Sequence, residues 1–436
     1  MKNNNSSTFD ANSSTESTAD ANFFDVVISG GGLSGCLVAL SLADLKKADG
    51  RLLSIAIVEP IKPSNTTNEN TPALFDDRVL ALSHGSASYL KKLGVWQHLS
   101  TDACAIEKID ISDQGHYGKA RLEAQKQGVS ALGYVIEMAL IGKAQLKSLS
   151  SKSNVQWFTP DRIIDIDWHG AIKKDDIQTN TQTDKITVTL DSKQTIQTSL
   201  LLACDGANSP CRQLAGINSR QSDYQQVALI ANVATKKSHH NKAFERFTSS
   251  GPLAMLPLTQ LNGVSRCSLV WTMSPQQSEK ILALSEDEFK EQLESAFGSW
   301  LGAITLVGKR DVYPLVLLQA EQQTYHRMAL VGNASHTIHP IAGQGFNLGL
   351  RDVQQLSALI AKSLHEQTDI GCFALLNEYS KIRQVDQNQV IELTDSLVTL
   401  FANDLVPLVA GRSMGLKVMN YLSPLKNTLV NKLMGY

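Results

Sequence analysis

The chain is short of the features that would classify it at once. Only six of its 436 residues are cysteines (Cys36, Cys104, Cys204, Cys211, Cys267 and Cys372), with no C-x-x-C pair and no histidine near them at zinc spacing. That pattern excludes a disulfide scaffold and a zinc module, and it reads as reduced thiols of a cytoplasmic protein. No charge of one sign dominates: 40 Lys+Arg stand against 42 Asp+Glu, with a pI of about 6.6. A nucleic-acid partner, which would need a basic patch, is excluded, and the expected ligand is small. The charge-free apolar run from Val26 to Ala43 is broken by three consecutive glycines and has no basic flank, so it is neither a spanning helix nor a signal peptide. No G-x-S-x-G sits on a strand-helix elbow, which removes hydrolase chemistry, and no internal repeat is apparent.

What is present is ordered patterning. At ~150 residues per domain the length predicts two or three structural units. Residues 1–22 are rich in Asn, Ser and Thr and nearly free of apolar side chains, the composition of a disordered tail. From Phe23 a β-branched run (FDVVIS) leads through GGGLSG into an apolar helix pattern, and SIAIVE follows as a second buried strand. The segment 225–275 is strand-rich and has no phosphate-binding turn, which predicts an antiparallel sheet in a second domain. Residues from about 353 onward carry helical periodicity.

Gly30, Gly32 and Gly35 form G-x-G-x-x-G at the first strand-helix junction, and Glu59 ends the next strand. Such glycines allow a tight turn and the close approach of a pyrophosphate to the helix start, and the acid accepts ribose hydroxyls. This is a dinucleotide site, and the motif alone leaves FAD and NAD as alternatives. A second such motif is absent, so a nicotinamide cofactor has no nucleotide-binding domain of its own.

Two later segments resolve that choice. Cys204 to Arg212 (CDGANSPCR) resembles the D-G-x-x-S-x-x-R element of flavin-dependent aromatic hydroxylases, and Leu330 to Asp352 (LVGNASHTIHPIAGQGFNLGLRD) resembles their second flavin element. The resemblance runs from about Phe23 to the C-terminus. At Asn333 the chain departs from the Asp usual in the family, and the variant loop is similar to that of the ubiquinone-biosynthesis branch. The stretches around Arg78, Leu132–Glu137, Phe247–Leu258 and Tyr313–Leu315 fit the same branch.

The resemblance implies an α/β fold in which a Rossmann-like FAD-binding domain, like that of p-hydroxybenzoate hydroxylase, carries an antiparallel β-sheet substrate domain and C-terminal helices. Expected limits are 23–103, 132–216 and 311–360 for the FAD-binding domain, 104–131 and 217–310 for the substrate domain, and 361–436 for the helical region. It implies FAD held by Gly30, Gly32, Gly35, Glu59, Arg78, Asp205, Gly206, Asn333, Pro340, Gly343, Gln344, Gly345, Phe346 and Asn347, with NAD(P)H as co-substrate. Gly343, Gly345 and Gly349 would turn backbone N–H groups toward the flavin. The reaction implied is oxygen transfer from a flavin C4a-hydroperoxide, formed with O2, to a polyprenylated phenol. His336 and His339 are candidates for proton transfer, with a structural role as the competing assignment. Leu253, Met255 and Leu256 are candidate liners of the ring pocket, with plain strand core as the competing assignment. No metal is expected. Residues 405–436 carry Arg412, Lys417, Lys426 and Lys432, no acidic residue and recurrent leucines. Two assignments fit that segment: a basic amphipathic helix on the inner membrane face, or packing against this chain or a partner in a homo-oligomer or biosynthetic complex.

Overall fold

The computed structural model describes residues 22–62, 79–115, 119–169, 185–338, 343–401 and 434–435. Its first sheet has eight strands. Phe23–Ser29 (β1), Ile55–Val58 (β2) and Val155–Phe158 (β8) run parallel, with Thr195–Ala203 (β11) and Met328–Leu330 (β19) on the other side of β1. Ile163–Asp167 (β9), Ile186–Leu190 (β10) and Thr324–Tyr325 (β18) complete it as antiparallel additions. Val26, Val27 and Ile28 are fully buried because both faces of a parallel sheet are covered, which is why β1 reads as a continuous apolar run. One cover is the apolar helix Leu33–Leu42 (α1), which packs with Met138–Leu149 (α3) and Gln344–His365 (α7) in the largest core. Phe373–Phe401 (α8) lies beside α7 and buries Tyr379 in that core. The shorter helices His84–Lys92 (α2), Pro210–Leu214 (α4) and Pro275–Ala283 (α5) each start on a serine whose side chain caps a free backbone N–H.

The second sheet has nine strands: Lys108–Asp113 (β5), Lys119–Glu123 (β6), Ser219–Thr235 (β12), Lys242–Thr248 (β13), Gly251–Leu261 (β14), Val264–Met273 (β15), Ile304–Val307 (β16), Asp311–Ala320 (β17) and His336–Thr337 (β20). All pairings are antiparallel except β5 with β13. Its outer face packs Phe244, Leu253, Met255, Leu269 and Trp271 against Phe289, Leu293 and Phe297 of helix Glu286–Phe297 (α6). The inner face meets a three-stranded sheet of Val79–Ser83 (β3), Cys104–Ile106 (β4) and Gly133–Glu137 (β7), with Ala243 and Leu258 packed on Ile106 and Val135.

Two expected boundaries move. β17 pairs along most of its length with β12, so Asp311–Ala320 belongs to the antiparallel sheet and the return to the first sheet begins after it. β4 likewise joins the small intervening sheet instead of the nine-stranded one. Residues 1–21 and 402–433, which hold most of the expected tail and the basic segment, lie outside the described residues. Met434 is buried against Leu122, Ala124 and Leu132, and its carbonyl accepts the Gly85 N–H at 2.8 Å. Among the described residues no helix is long and apolar enough to cross a membrane.

Candidate functional site

Three distant segments meet at the N-terminus of α1. The Gly30 N–H donates to the Val58 carbonyl at 2.8 Å, closing the turn, and Gly32 is the N-cap of α1. Gly35 is where helix and strand touch: a Cβ there would stand 1.9 Å from the Gly30 oxygen, so no side chain fits. Glu59 accepts the Gly31 N–H at 2.6 Å and the Ile61 N–H at 2.9 Å, which fixes its carboxylate at the end of β2 with lone pairs left for hydroxyl donors.

Asp205 and Gly206 follow β11 on the other side of the turn. Asp205 Oδ2 accepts from the Cys211 N–H at 3.1 Å and from Ser29 Oγ at 3.4 Å, while its Oδ1 is buried without a hydrogen-bond partner. Arg212 ends the same motif, and sequence reasoning assigns it no role of its own. Its guanidinium donates to the Ala334 carbonyl at 2.8 Å and the Ala207 carbonyl at 2.7 Å, so it binds the D-G loop to the Gly332–Ala334 turn. Asp352, the last residue of the long motif, holds that turn from α7 by accepting the Gly332 N–H at 2.9 Å. Asp352 is fully buried and ion-paired at 2.6 Å with Arg383 of α8.

The start of α7 is pinned to β3. Gly343 adopts φ +61°, and a Cβ there would lie 2.8 Å from that of Ala81. Asn347 accepts the Ser83 N–H at 2.8 Å and donates to Ala81 at 2.8 Å and Gly343 at 2.7 Å, so its side chain organises the loop with every bond spent on backbone. Gln344 is buried, Gly345 half-buried with Ile338 nearest, and Phe346 half-buried against the main core. Asn333 is exposed on the Gly332–Ala334 turn. Arg78, His339 and Pro340 lie outside the described residues.

Two expectations are corrected here. His336 is 1% exposed, neither ring nitrogen has a hydrogen-bond partner, and Nδ1 lies 3.7 Å from Asp352 Oδ2. Burial pushes its proton affinity down against the pull of Asp352, leaving a neutral packed imidazole instead of a proton-transfer group. Leu253 and Met255 are fully buried on the outer face under α6, so they are core and not ring liners. Leu256, next along the strand, is half-buried on the inner face. Strand alternation separates the three.

The cradle fits a flavin dinucleotide. A Cβ on Gly32 or Gly206 would meet no atom within 4 Å, so both backbones face open space, and Asp205 Oδ1 is an acceptor awaiting a donor. Among the described residues no cluster of acidic, histidine or cysteine side chains would hold a metal ion.

Comparison with known proteins agrees with this geometry. The FAD binding domain family model matches residues 160–394. Ubiquinone hydroxylase UbiL of Rhodospirillum rubrum is 33% identical over 416 residues, covering 94% of this chain and 89% of that protein. The mitochondrial ubiquinone biosynthesis monooxygenase COQ6 of Homo sapiens is 29% identical over 444 residues, covering 93% and 92%. Among solved structures, p-nitrophenol 4-monooxygenase PnpA from Pseudomonas putida superposes with a TM-score of 0.71 at 17% identity, over 95% of this chain and 99% of that one. PqsL of Pseudomonas aeruginosa, a probable FAD-dependent monooxygenase, gives a TM-score of 0.70 at 17% identity, over 91% and 100%. These two likenesses speak to the fold. With its flavin cradle assembled from all three motifs, the chain belongs to the FAD binding domain family and is an FAD-dependent monooxygenase.

Proposed function

We propose that the chain hydroxylates the ring of a polyprenylated methoxyphenol in ubiquinone biosynthesis, with NAD(P)H as reductant and O2 as the oxygen source. The observation that carries this reading is the similarity, over 94% of the chain, to a ubiquinone hydroxylase. Bound FAD supplies the redox chemistry that activates O2. The chain's own part is to bind, orient and exclude water. Glu59 and the Gly30–Gly35 turn hold the nucleotide end, and Asp205, Gly206 and Asn333 flank the middle of the cofactor. Gly343, Gln344, Gly345 and Asn347 would stand around its far end, with Arg78 and Pro340 as further contacts carried over from the family resemblance. The inner face of the nine-stranded sheet would cover the phenol ring, where exclusion of water keeps oxygen transfer ahead of side reactions.

The prenyl tail places the enzyme at the inner face of the cell membrane, with the basic residues 405–436 as the contact, alone or within a biosynthetic complex. Deleting the gene in its host and measuring quinone precursors in the lipid extract by mass spectrometry tests the reading. Accumulated 2-polyprenyl-6-methoxyphenol supports it. A differently hydroxylated precursor moves the enzyme to a sister ring hydroxylation, a chain with unreduced double bonds to a polyprenyl reductase, and unchanged ubiquinone removes the assignment.

A further inference from the structure

The inner face of the nine-stranded sheet carries one row that is not closed. Glu245 of β13 stands opposite Ala254 of β14, Ala254 opposite Val270 of β15, and Val270 opposite Ile230 of β12. Directly paired residues share a face, so these four side chains form one stripe across four strands. All four are half-buried. The alternating row on the outer face, Phe244, Met255, Leu269 and Ala231, is closed, with each residue buried. Leu256, next on the inner face of β14, packs on the same cluster as Val79 of β3, and a Cβ on Gly343, at the start of α7, would lie 2.8 Å from that of Ala81, further along the same face of β3. The open stripe therefore lies on the side of the sheet that meets β3 and the flavin loop; on these four strands its one carboxyl is Glu245, and the row's next residue, Asp311 of β17 opposite Ile230, is bridged to Lys309 at 2.6 Å.

That carboxyl has no protein partner among the described residues. Among the described residues Glu245 has no hydrogen bond and no ion pair, although the chain pairs its other inward charges: Arg266 bridges to Glu137 at 3.2 Å. On the same face or on elements packed against it stand Asp113 of β5, Asp311 and Tyr313 of β17, Cys104 of β4, and Asp395 of α8, which accepts from Tyr224. None of them bonds to Glu245. An acid set in an apolar stripe without a partner is costly to keep, and the natural partner is a ligand hydroxyl.

We propose that Glu245 is the proton acceptor for the substrate's phenol, on a floor of Ala254, Val270, Ile230 and Leu256 that receives the ring. This rests on the phenolic-substrate reading above. The phenol O–H bond breaks, its proton passes to a Glu245 carboxylate oxygen, and the electron pair stays on the phenol oxygen. There it raises the nucleophilicity of the ortho and para carbons that take up oxygen. Burial among these neighbours pushes the Glu245 carboxyl up to about 7, suiting it to hold and release a proton near neutral pH.

The test uses purified holoenzyme and 2-prenyl-6-methoxyphenol as the probe. Anaerobic titration across the carboxyl's value of about 7, followed by the near-ultraviolet phenolate difference band, is run beside the pH profile of hydroxylation. Wild type is expected to give the band and an activity limb rising near pH 7. Glu245→Gln, with FAD content and melting temperature checked, is expected to bind the probe within about threefold of wild type and to lose both band and limb. Its rate should fall ~100-fold to 10,000-fold, and Glu245→Asp should bring back a limb displaced in pH from that of wild type. A Gln variant that keeps band and limb overturns the role of Glu245 while leaving the substrate reading intact. Should the Gln variant fail to fold, an Asp variant with an unmoved limb overturns it equally. A wild-type enzyme that neither binds nor hydroxylates the probe removes the substrate reading and this role with it.

Discussion

Replacing Asp352 by Asn keeps the side chain's shape and removes one buried charge. Asp352 is fully buried and Arg383 is 3% exposed, so neither is screened by water. Asp352 accepts from Arg383 Nε at 2.6 Å, from the Gly332 N–H at 2.9 Å and from Gln387 at 3.3 Å. The Asn side chain has one acceptor oxygen and must present its NH2 to a donor, either the guanidinium or the Gly332 N–H. Breaking a buried pair from one side typically costs about 3–5 kcal/mol. Arg383 keeps Asp386 as a second partner, which favours the lower end, about 3 kcal/mol. For a chain of this size that lowers the melting temperature by roughly 3 °C. Thermal unfolding followed by circular dichroism, on enzyme with and without FAD, reads the effect. The Gly332–Ala334 turn is itself part of the cradle, so FAD affinity should fall as well. Substituting Arg383→Met together with Asp352→Asn removes the stranded charge and should recover part of the loss in a double-mutant cycle. A single variant within about 0.5 kcal/mol of wild type, or a double variant whose losses simply add, would refute the buried-pair account.

Three further outcomes are expected. Gly35→Ala drives a Cβ to 1.9 Å from the Gly30 oxygen, so α1 must shift from β1, and FAD should be lost on gel filtration even where the fold survives. Glu245 has its proton affinity raised from 4.5 to about 7 in the folded chain, so its stabilising contribution is complete below the unfolded value and lost as pH rises through about 7. Glu245→Gln should therefore melt above wild type at pH 8, by about 2–3 kcal/mol of stability, and level with it near pH 4.5, and a pH-independent difference would contradict this. Of the six thiols, five are buried, with Cys36 pushed up to about 12 and Cys104 to about 11 by burial, so alkylation of the native protein at neutral pH should leave these five unmodified by mass spectrometry.

The nucleotide end of the site was legible in the sequence because its signals are local. Gly30, Gly32, Gly35 and Glu59 lie on one β-turn-α-β unit, and each has a role that a short segment defines by itself. The ring end was not, because it depends on which face of a strand is turned inward. Leu253 and Met255 look like liners in sequence, yet the register of β14 against β15 sends them under α6, and a one-residue shift of register would have exchanged them with Ala254 and Leu256. Glu245 was invisible for the same reason: only the pairing of β13 with β14 sets it beside Ala254. His336 lost its catalytic appearance through burial beside Asp352 of α7, and Asp352 gained its importance from Arg383 on another helix, α8. Neither contact leaves a periodic signal in the sequence. The strand Asp311–Ala320 changed sheets because its partner, β12, lies on the far side of the α5 and α6 helices in the chain.

Incubating the purified holoenzyme with NAD(P)H and 2-prenyl-6-methoxyphenol under isotopically labelled dioxygen tests the central claim most directly. The account predicts a ring-hydroxylated product carrying one labelled oxygen atom, formed with one equivalent of NAD(P)H oxidised. Reductant consumed with hydrogen peroxide as the only product, or a product whose new oxygen comes from water, would contradict it.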